Sequence, residues 1–532
     1  MSLTPQCDRE RGWSVVPELP ETKLSAHVRR LAGRLRALLA DLRTQRPSQV
    51  KTWQVTTGAT VAGLAIAATS VTLAGPWDGS GQRSAERDRA AAQRTEGGAH
   101  HAGAEGGTGA KAPKAAPSAP TVLDALGAPG GTAPLPKGPA LDKRLAPLLD
   151  GSPGGTRTAA AVVDAATGKL LWGKSAGDAL TPASTIKVAT AVAALTAAGP
   201  DHRITTRTVH EPAGSEGPGR VVLVGGGDPT LTARARAGGN ASLRTLAERT
   251  ARALTKSGAR EVALAYDTSL YSGPAVHPIG RNDNIARVSA LMVDEGRLDD
   301  SSSGPAPRAE DPAKDAAARF ADLLAGHGVK VKGSPVAARA AKDALPLAKV
   351  ASPPLSSLVE RMLTSSDNDI AEALNRQTAL VSGRPASFGG GGAAVKTQLG
   401  KLRMPLGGTR FTDGSGLDRG NRLTPELLTS LLARAAQPER PELRTALTGL
   451  PVAGFTGTLR NRYSSGPDAG GTGLVRAKTG TLTGVHTLAG TVVDRDGRLL
   501  AFTFMTDGPA TDPTATQSRL DRMATSLTTC GC

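Results

Sequence analysis

Three short motifs stand in one order along this 532-residue chain: Ser184-Thr185-Ile186-Lys187, Ser366-Asp367-Asn368 and Lys478-Thr479-Gly480. If they act together, the fold must bring a helix start, an interhelical turn and a strand to one point. Ser184 follows Thr181-Pro182-Ala183 and opens an apolar helical stretch through AVAALTAAG to Gly199. Positions i and i+3 share a helix face, so Lys187 projects back toward the Ser184 hydroxyl. A helix N-terminus favours negative charge on that oxygen. A buried lysine beside a second cation has its pKa lowered enough to act as a base. Ser366-Asp367-Asn368 falls between two helical patterns within 355–381. Val475 to Thr481 alternates as an edge strand does. On such a strand Lys478 and a threonine hydroxyl bind a carboxylate, while a backbone N–H points at a reacting carbonyl.

Letters alone mislead in this chain. Ser48-Gln49-Val50-Lys51 repeats the first pattern, but no partner motif follows it nearby. Lys256-Ser257-Gly258 imitates the third, at what reads as a glycine-capped helix end. Gly168 to Ser175 matches the phosphate-binding P-loop pattern, yet its middle is strand-like and no helix starts at its Lys-Ser, so a β-hairpin is expected instead. Asn240-Ala241-Ser242 matches a glycosylation sequon without a context that would give it meaning.

The net charge of +17 invites a nucleic-acid reading. The basic residues are scattered, however, and neither a zinc finger nor an aromatic-studded RNA-binding strand occurs, so no nucleic-acid partner is expected. Polyanions such as anionic lipids or wall polymers suit the charge equally. Residues 52–77 carry no charge and are long enough to span a bilayer. Arg29 to Lys51 supply a basic flank, and Trp53 and Trp77 mark the ends. A retained signal-anchor is the expectation, with 1–51 cytoplasmic and the rest extracytoplasmic; cleavage near Ala74-Gly75, giving a secreted protein, stays open. Residues 78–139 are Gly, Ala, Pro and small polar residues and read as a disordered linker. Cys530 and Cys532 close the chain either as a small disulfide or as two free thiols. The histidines show no metal-ligand spacing, and no metal or cofactor is expected.

The folded part divides into 140–200, an inserted mixed stretch 201–350, and 351–528. Thr158–Val163 and Lys169–Gly173 read as a hairpin. Arg220–Val224 and Glu261–Tyr266 read as strands, and Ser242–Lys256 and Asp311–Gly326 as helices. Thr487–Val493 and Leu499–Thr506 flank an Asp-Arg-Asp-Gly turn as a terminal hairpin.

Taken together, the trio resembles that of the class C, low-molecular-mass penicillin-binding proteins, which are D-Ala-D-Ala carboxypeptidases/endopeptidases. The resemblance covers about 155–528. It extends to Gly225-Gly226-Gly227-Asp228-Pro229-Thr230-Leu231, Val288–Leu291, Asp413-Gly414-Ser415-Gly416-Leu417 and Ala477–Val485. It implies an α+β, serine β-lactamase/transpeptidase-like fold, an antiparallel sheet flanked by helices with an inserted α/β module. It further implies that Ser184 attacks the penultimate D-Ala carbonyl of a peptidoglycan stem peptide and that Lys187 takes the proton. Ser366 would relay it and Asn368 would bind a substrate amide. Lys478, Thr479, Gly480 and Thr481 would hold the terminal carboxylate, with Ser184 and Thr481 N–H groups as the oxyanion hole. Asp267 and Arg419 match the residues that grip the side chain of the peptide's diamino acid. β-Lactams would act as covalent inhibitors. A serine β-lactamase is the rival enzyme, although no clear ExxxN loop is present, and a catalytically idle wall scaffold is the rival outside enzymes. Oligomeric state is not legible.

Overall fold

The computed structural model describes residues 134–150, 154–212, 219–509 and 512–530. The basic segment 1–51, the expected membrane segment 52–77 and the linker as far as 133 lie outside the described residues. Among the described residues no helix is long and apolar enough to cross a membrane.

The chain opens with helix α1 (Gly138–Asp150), followed by the hairpin β1 (Arg157–Asp164) and β2 (Leu170–Lys174). A 3-10 turn over Ala183–Thr185 leads into α2 (Ile186–Ala198). Next come β3 (Thr205–Glu211), β4 (Arg220–Val224), α3 (Leu243–Lys256), β5 (Glu261–Asp267) and α4 (Pro312–Gly326). Three strands follow: β6 (Lys330–Val331), β7 (Val336–Ala337) and β8 (Leu345–Ala351). Helices α5 (Leu355–Ser365), α6 (Asn368–Val381), α7 (Phe388–Lys401) and α8 (Pro425–Ala436) come next. Strands β9 (Val475–Leu482), β10 (Val485–Val493) and β11 (Leu499–Asp507) precede α9 (Pro513–Thr528).

One antiparallel sheet runs β2-β1-β11-β10-β9. Its strands alternate between two cores because successive side chains leave opposite faces. Ala159, Val163, Ala501 and Met505 pack against α2, α5, α6 and α8. Ala160, Val162, Phe502 and Phe504 meet Leu141, Leu145 and Leu149 of α1 and Leu520, Met523 and Leu527 of α9. The sheet is therefore covered on both sides. Helix α2 is buried from Ile186 through Leu195, which suits a helix that is apolar all round and runs through the middle of the molecule.

The second sheet runs β6-β5-β4-β3-β8, with β7 also on β5, and mixes antiparallel with parallel pairs. It has its own core, in which Val221, Leu223 and Leu264 meet Leu246 and Leu254 of α3 and Phe320 and Leu324 of α4. Ser242 caps α3 through the Thr245 N–H, and Asp311 caps α4 through Ala313 and Lys314. The sheet returns to its starting point: Thr205 pairs with Ala351. The P-loop look-alike is the β1–β2 hairpin, as its strand-like middle predicts. Cys530, just past α9, is buried and disulfide-bonded, and its partner lies outside the described residues.

Candidate active site

The residues singled out as nucleophile and base meet at one point. Ser184 lies in the 3-10 turn ahead of α2 rather than within it, and Ala183 before it has φ +45°. Two glycines let other segments close on this turn. A Cβ on Gly416 would run into the Ala183 carbonyl, and one on Gly480 would run into Thr487 Oγ1 and sit 2.8 Å from the Pro182 carbonyl. Thr487 Oγ1 and Thr185 Oγ1 both donate to Pro182 O, at 2.8 and 2.6 Å.

Lys187 Nζ lies 3.0 Å from Ser184 Oγ, 2.7 Å from Asn368 Oδ1 and 2.7 Å from the Ser415 carbonyl oxygen. Asn368 Oδ1 and Ser415 O can only accept. A neutral amine placed so spends its two hydrogens on them and turns its lone pair to the serine hydroxyl. Burial brings the Lys187 pKa down to about 8, against the upward pull of Asp413, Asp367, Glu372 and Asp369.

Ser366 ends α5 in the left-handed conformation, φ +58°, and Asp367 caps α6 by accepting from the Ile370 N–H. The turn aims Ser366 Oγ at Lys478 Nζ, 2.9 Å away, and Lys478 also donates to the Thr479 carbonyl at 2.7 Å. Burial first, then the charges of Lys187 and Arg462, push the Lys478 pKa well below the lysine range. β9 is the last strand of its sheet. Its outer edge pairs with the 451–453 segment as far as Ala477, and beyond that no strand lies against it among the described residues. Gly480 is buried within this stretch, Thr481 is exposed, and Thr479 Oγ1 donates to Thr458 Oγ1 at 2.9 Å.

Arg419 is exposed and donates to the Thr483 carbonyl, just past β9. Asp267 is not brought to the trio. Its carboxylate accepts from the Ser269 and Ala340 N–H groups and lines a separate cavity at the end of β5. The physical reason is local: Asp267 ends β5 beside Val224, and the Ser269 and Ala340 N–H groups of its own module hold its carboxylate there. The inserted segment instead reaches the trio at Asn284, whose carbonyl accepts from Asn368 Nδ2 at 3.0 Å. The exposed acid beside that contact is Asp283.

Sequence reasoning missed the buried support. Glu372 Oε1 accepts from the Gly414 and Ser415 N–H groups. Asp413 accepts from Gly416 N, Asp418 N and Asn421 Nδ2 and faces His277 Nε2 at 3.1 Å. The Asp413–Leu417 stretch stood out in the sequence, but nothing in it signals Glu372 or His277 as partners. Among the described residues His277, Glu372 and Asp413 converge, as do Glu295, Asp367 and Asp369. Backbone N–H groups, Asn421, Arg297, Arg308 and Arg361 already occupy these carboxylates, so neither donor set suits a metal ion.

Penicillin binding protein 4 (dacB) of Haemophilus influenzae superposes over 72% of this chain and 98% of its own, with a TM-score of 0.60 at 24% identity. Its complex with a β-lactam aligns with a TM-score of 0.57 at 25% identity, over the same shares. Fold and site together define a serine acyl-transfer enzyme built on the penicillin-binding fold. A carboxypeptidase of Mycobacterium tuberculosis is 35% identical over 80% of this chain and 91% of its own length, and carboxypeptidase DacB of Mycolicibacterium smegmatis is 37% identical over 70% and 80%. The profile of the D-Ala-D-Ala carboxypeptidase 3 (S13) family matches residues 141–307 and 299–530. The chain belongs to that family and is a serine D-Ala-D-Ala carboxypeptidase.

Proposed function

We propose that the enzyme removes the terminal D-Ala from peptidoglycan stem peptides, and opens D-Ala-linked crosslinks, through an acyl-enzyme on Ser184. The observation that carries this reading is the three-way setting of Lys187, with two pure acceptors and the Ser184 hydroxyl around one buried amine. Neutral Lys187 accepts the hydroxyl proton as Ser184 Oγ bonds to the carbonyl carbon of the penultimate D-Ala. The N–H groups of Ser184 and Thr481 hold the resulting oxyanion, a contribution of roughly 3 kcal/mol per donor. Ser366 passes a proton to the leaving amine, and water then hydrolyses the ester. Lys478 and Thr479 hold the terminal carboxylate, and Asn368 holds the penultimate amide.

A peptide laid along the open edge of β9 adds as a strand, so its main chain supplies much of the grip. Arg419 and Asp283 flank that path and bind the carboxylate and ammonium of the diamino-acid side chain. The contact of Asn284 with Asn368 favours Asp283 over Asp267 in this role. Residues 52–77 would tether the catalytic part outside the cell membrane.

Incubation with a fluorescent penicillin followed by mass spectrometry tests the reading. A stable adduct on Ser184, absent in Ser184→Ala, is expected, together with D-Ala release from a muropeptide ending in D-Ala-D-Ala. Rapid loss of the label as hydrolysed drug would instead mean a β-lactamase, and no adduct an idle scaffold.

A further inference from the structure

We propose that the inserted module carries a second binding site, for a phosphate-type anion, at the carboxyl ends of its parallel strands. β4 and β7 both run parallel to β5. Past their ends, at Gly225-Gly226, Asp267 and Arg339, a cavity of about 540 Å³ opens. Crevices at the carboxyl ends of parallel strands are where open α/β sheets hold ligands.

The lining is cationic, with Arg203, Arg207 and Arg339, and the His202 ring beside them, around one carboxylate, Asp267. That carboxylate is engaged by two backbone N–H groups, Ser269 at 2.8 Å and Ala340 at 2.9 Å, and against its burial these bonds and the nearby Arg339 charge hold its pKa below the ordinary carboxylate value. Two of the guanidiniums are anchored by single hydrogen bonds. Arg203 Nη1 donates to the Ser352 carbonyl at 2.8 Å, and Arg339 Nε donates to Ser269 Oγ at 3.0 Å. Each keeps further N–H donors for a ligand, in the fork that suits phosphate oxygens. Arg207 projects from β3, where it pairs with Val224 at the end of β4. The floor is held in place: a Cβ on Gly226 would run into the Thr205 carbonyl, and the Gly226 carbonyl accepts from Gln377 Nε2 at 2.8 Å.

The ligand chemistry is thus an oxyanion with at least two free oxygens, supplied either as free phosphate or as the phosphodiester of a wall polymer. The site stands apart from Ser184, and its occupancy does not depend on the peptidase reading.

Equilibrium dialysis of the full-length protein against radiolabelled inorganic phosphate, with a synthetic glycerol-phosphate oligomer as competitor, tests it. Saturable binding is expected, weakened about tenfold by Arg207→Gln and again by Arg339→Gln, as loss of a charge-assisted hydrogen bond implies. Displacement by the oligomer at lower concentration than by phosphate identifies a polymer ligand; the reverse order identifies free phosphate. Penicillin labelling of Ser184 at the parent rate reports that each variant is folded, and Arg207→Lys serves as a milder replacement. Binding that never saturates, or that these substitutions leave unchanged, overturns the proposal, because the overall charge of +17 alone would then account for it.

Discussion

Glu372 holds Ser415 by its N–H while the Lys187 amine holds the same residue by its carbonyl. Its Oε1 accepts from the Ser415 N–H at 2.9 Å, while the carbonyl of the same residue accepts from Lys187 at 2.7 Å. A buried acid that touches neither Ser184 nor Ser366 thereby fixes where the proposed base, Lys187, sits. Its Oε2 is paired with Arg376 at 3.3 Å, also fully buried.

Removing that acid costs both stability and catalysis. Glu372→Ala leaves Arg376 buried without its partner and frees two backbone N–H groups, a loss of about 3–5 kcal/mol in chemical denaturation. Glu372→Gln keeps an oxygen for the two N–H groups. It is expected to retain more stability and a larger share of the penicillin acylation rate than the alanine variant.

The base dictates the direction of the pH profile. Lys187 must be neutral to accept a proton, and burial brings its pKa from the ordinary 10.5 to about 8. Acylation by a β-lactam is therefore expected to rise about tenfold per pH unit below 8 and to level off above it. A flat profile between pH 6 and 8 would contradict a lysine base. For stability the sign is the same. The unfolded chain binds more protons at this residue between pH 8 and 10.5, so the penalty of burying it shrinks as pH rises through that window.

Gly480 is a test of close approach rather than of flexibility. An added methyl group meets Thr487 Oγ1 and the Pro182 carbonyl, so Gly480→Ala must move β9 away from the Ser184 turn. A displacement on the order of 1 Å costs about a hundredfold in rate, read as slower labelling of Ser184. Gly177→Ala is the control, because nothing lies within 4 Å of the added atom, and it should label at the parent rate.

Substrate-side contacts separate two acids of the insert. Asp283→Asn is expected to raise KM about tenfold for a peptide bearing a free diamino-acid side chain, with kcat little changed, as loss of one charged contact implies. Asp267→Asn should leave KM for that peptide unaltered. Equal effects from the two would move the peptide's path toward the end of β5.

Local sequence determined much of this architecture. Arg220–Val224 is a strand and Ser242–Lys256 a capped helix, as periodicity and capping predict. Other elements obey tertiary packing against local preference. The run Phe388-Gly389-Gly390-Gly391-Gly392 has little intrinsic helix preference, yet it begins α7, and a Cβ on Gly391 would meet Asn375 and one on Gly392 the Phe411 carbonyl. Small residues are needed there so that the helix can lie close to α6. At the site, Ser184, Lys187, Ser366 and Lys478 announce themselves by spacing within short motifs. Glu372 and His277 do not, since they meet Gly414, Ser415 and Asp413, residues distant in the sequence, and no local pattern records the partnership. Asp267 illustrates the converse: a plausible letter in the insert, on a strand that ends elsewhere.

The pairing of Thr205 with Ala351 has a consequence for how this architecture varies. Ile204 and Ser352 exchange hydrogen bonds beside it, and the Leu355 N–H donates to the His202 carbonyl. The excursion from residue 205 to 351 thus leaves and rejoins the catalytic scaffold through a neck about 5 Å wide, one strand spacing. A detour that closes on its own threshold sets no spacing between the two segments that flank its neck. It can lengthen or shrink between relatives without altering the distance between Ser184 and Ser366. The stretches not free to drift are those that reach back to the catalytic scaffold: the loop around Asn284, which meets Asn368, His277 against Asp413, and Glu295 and Arg308 against Arg361 and Asp369.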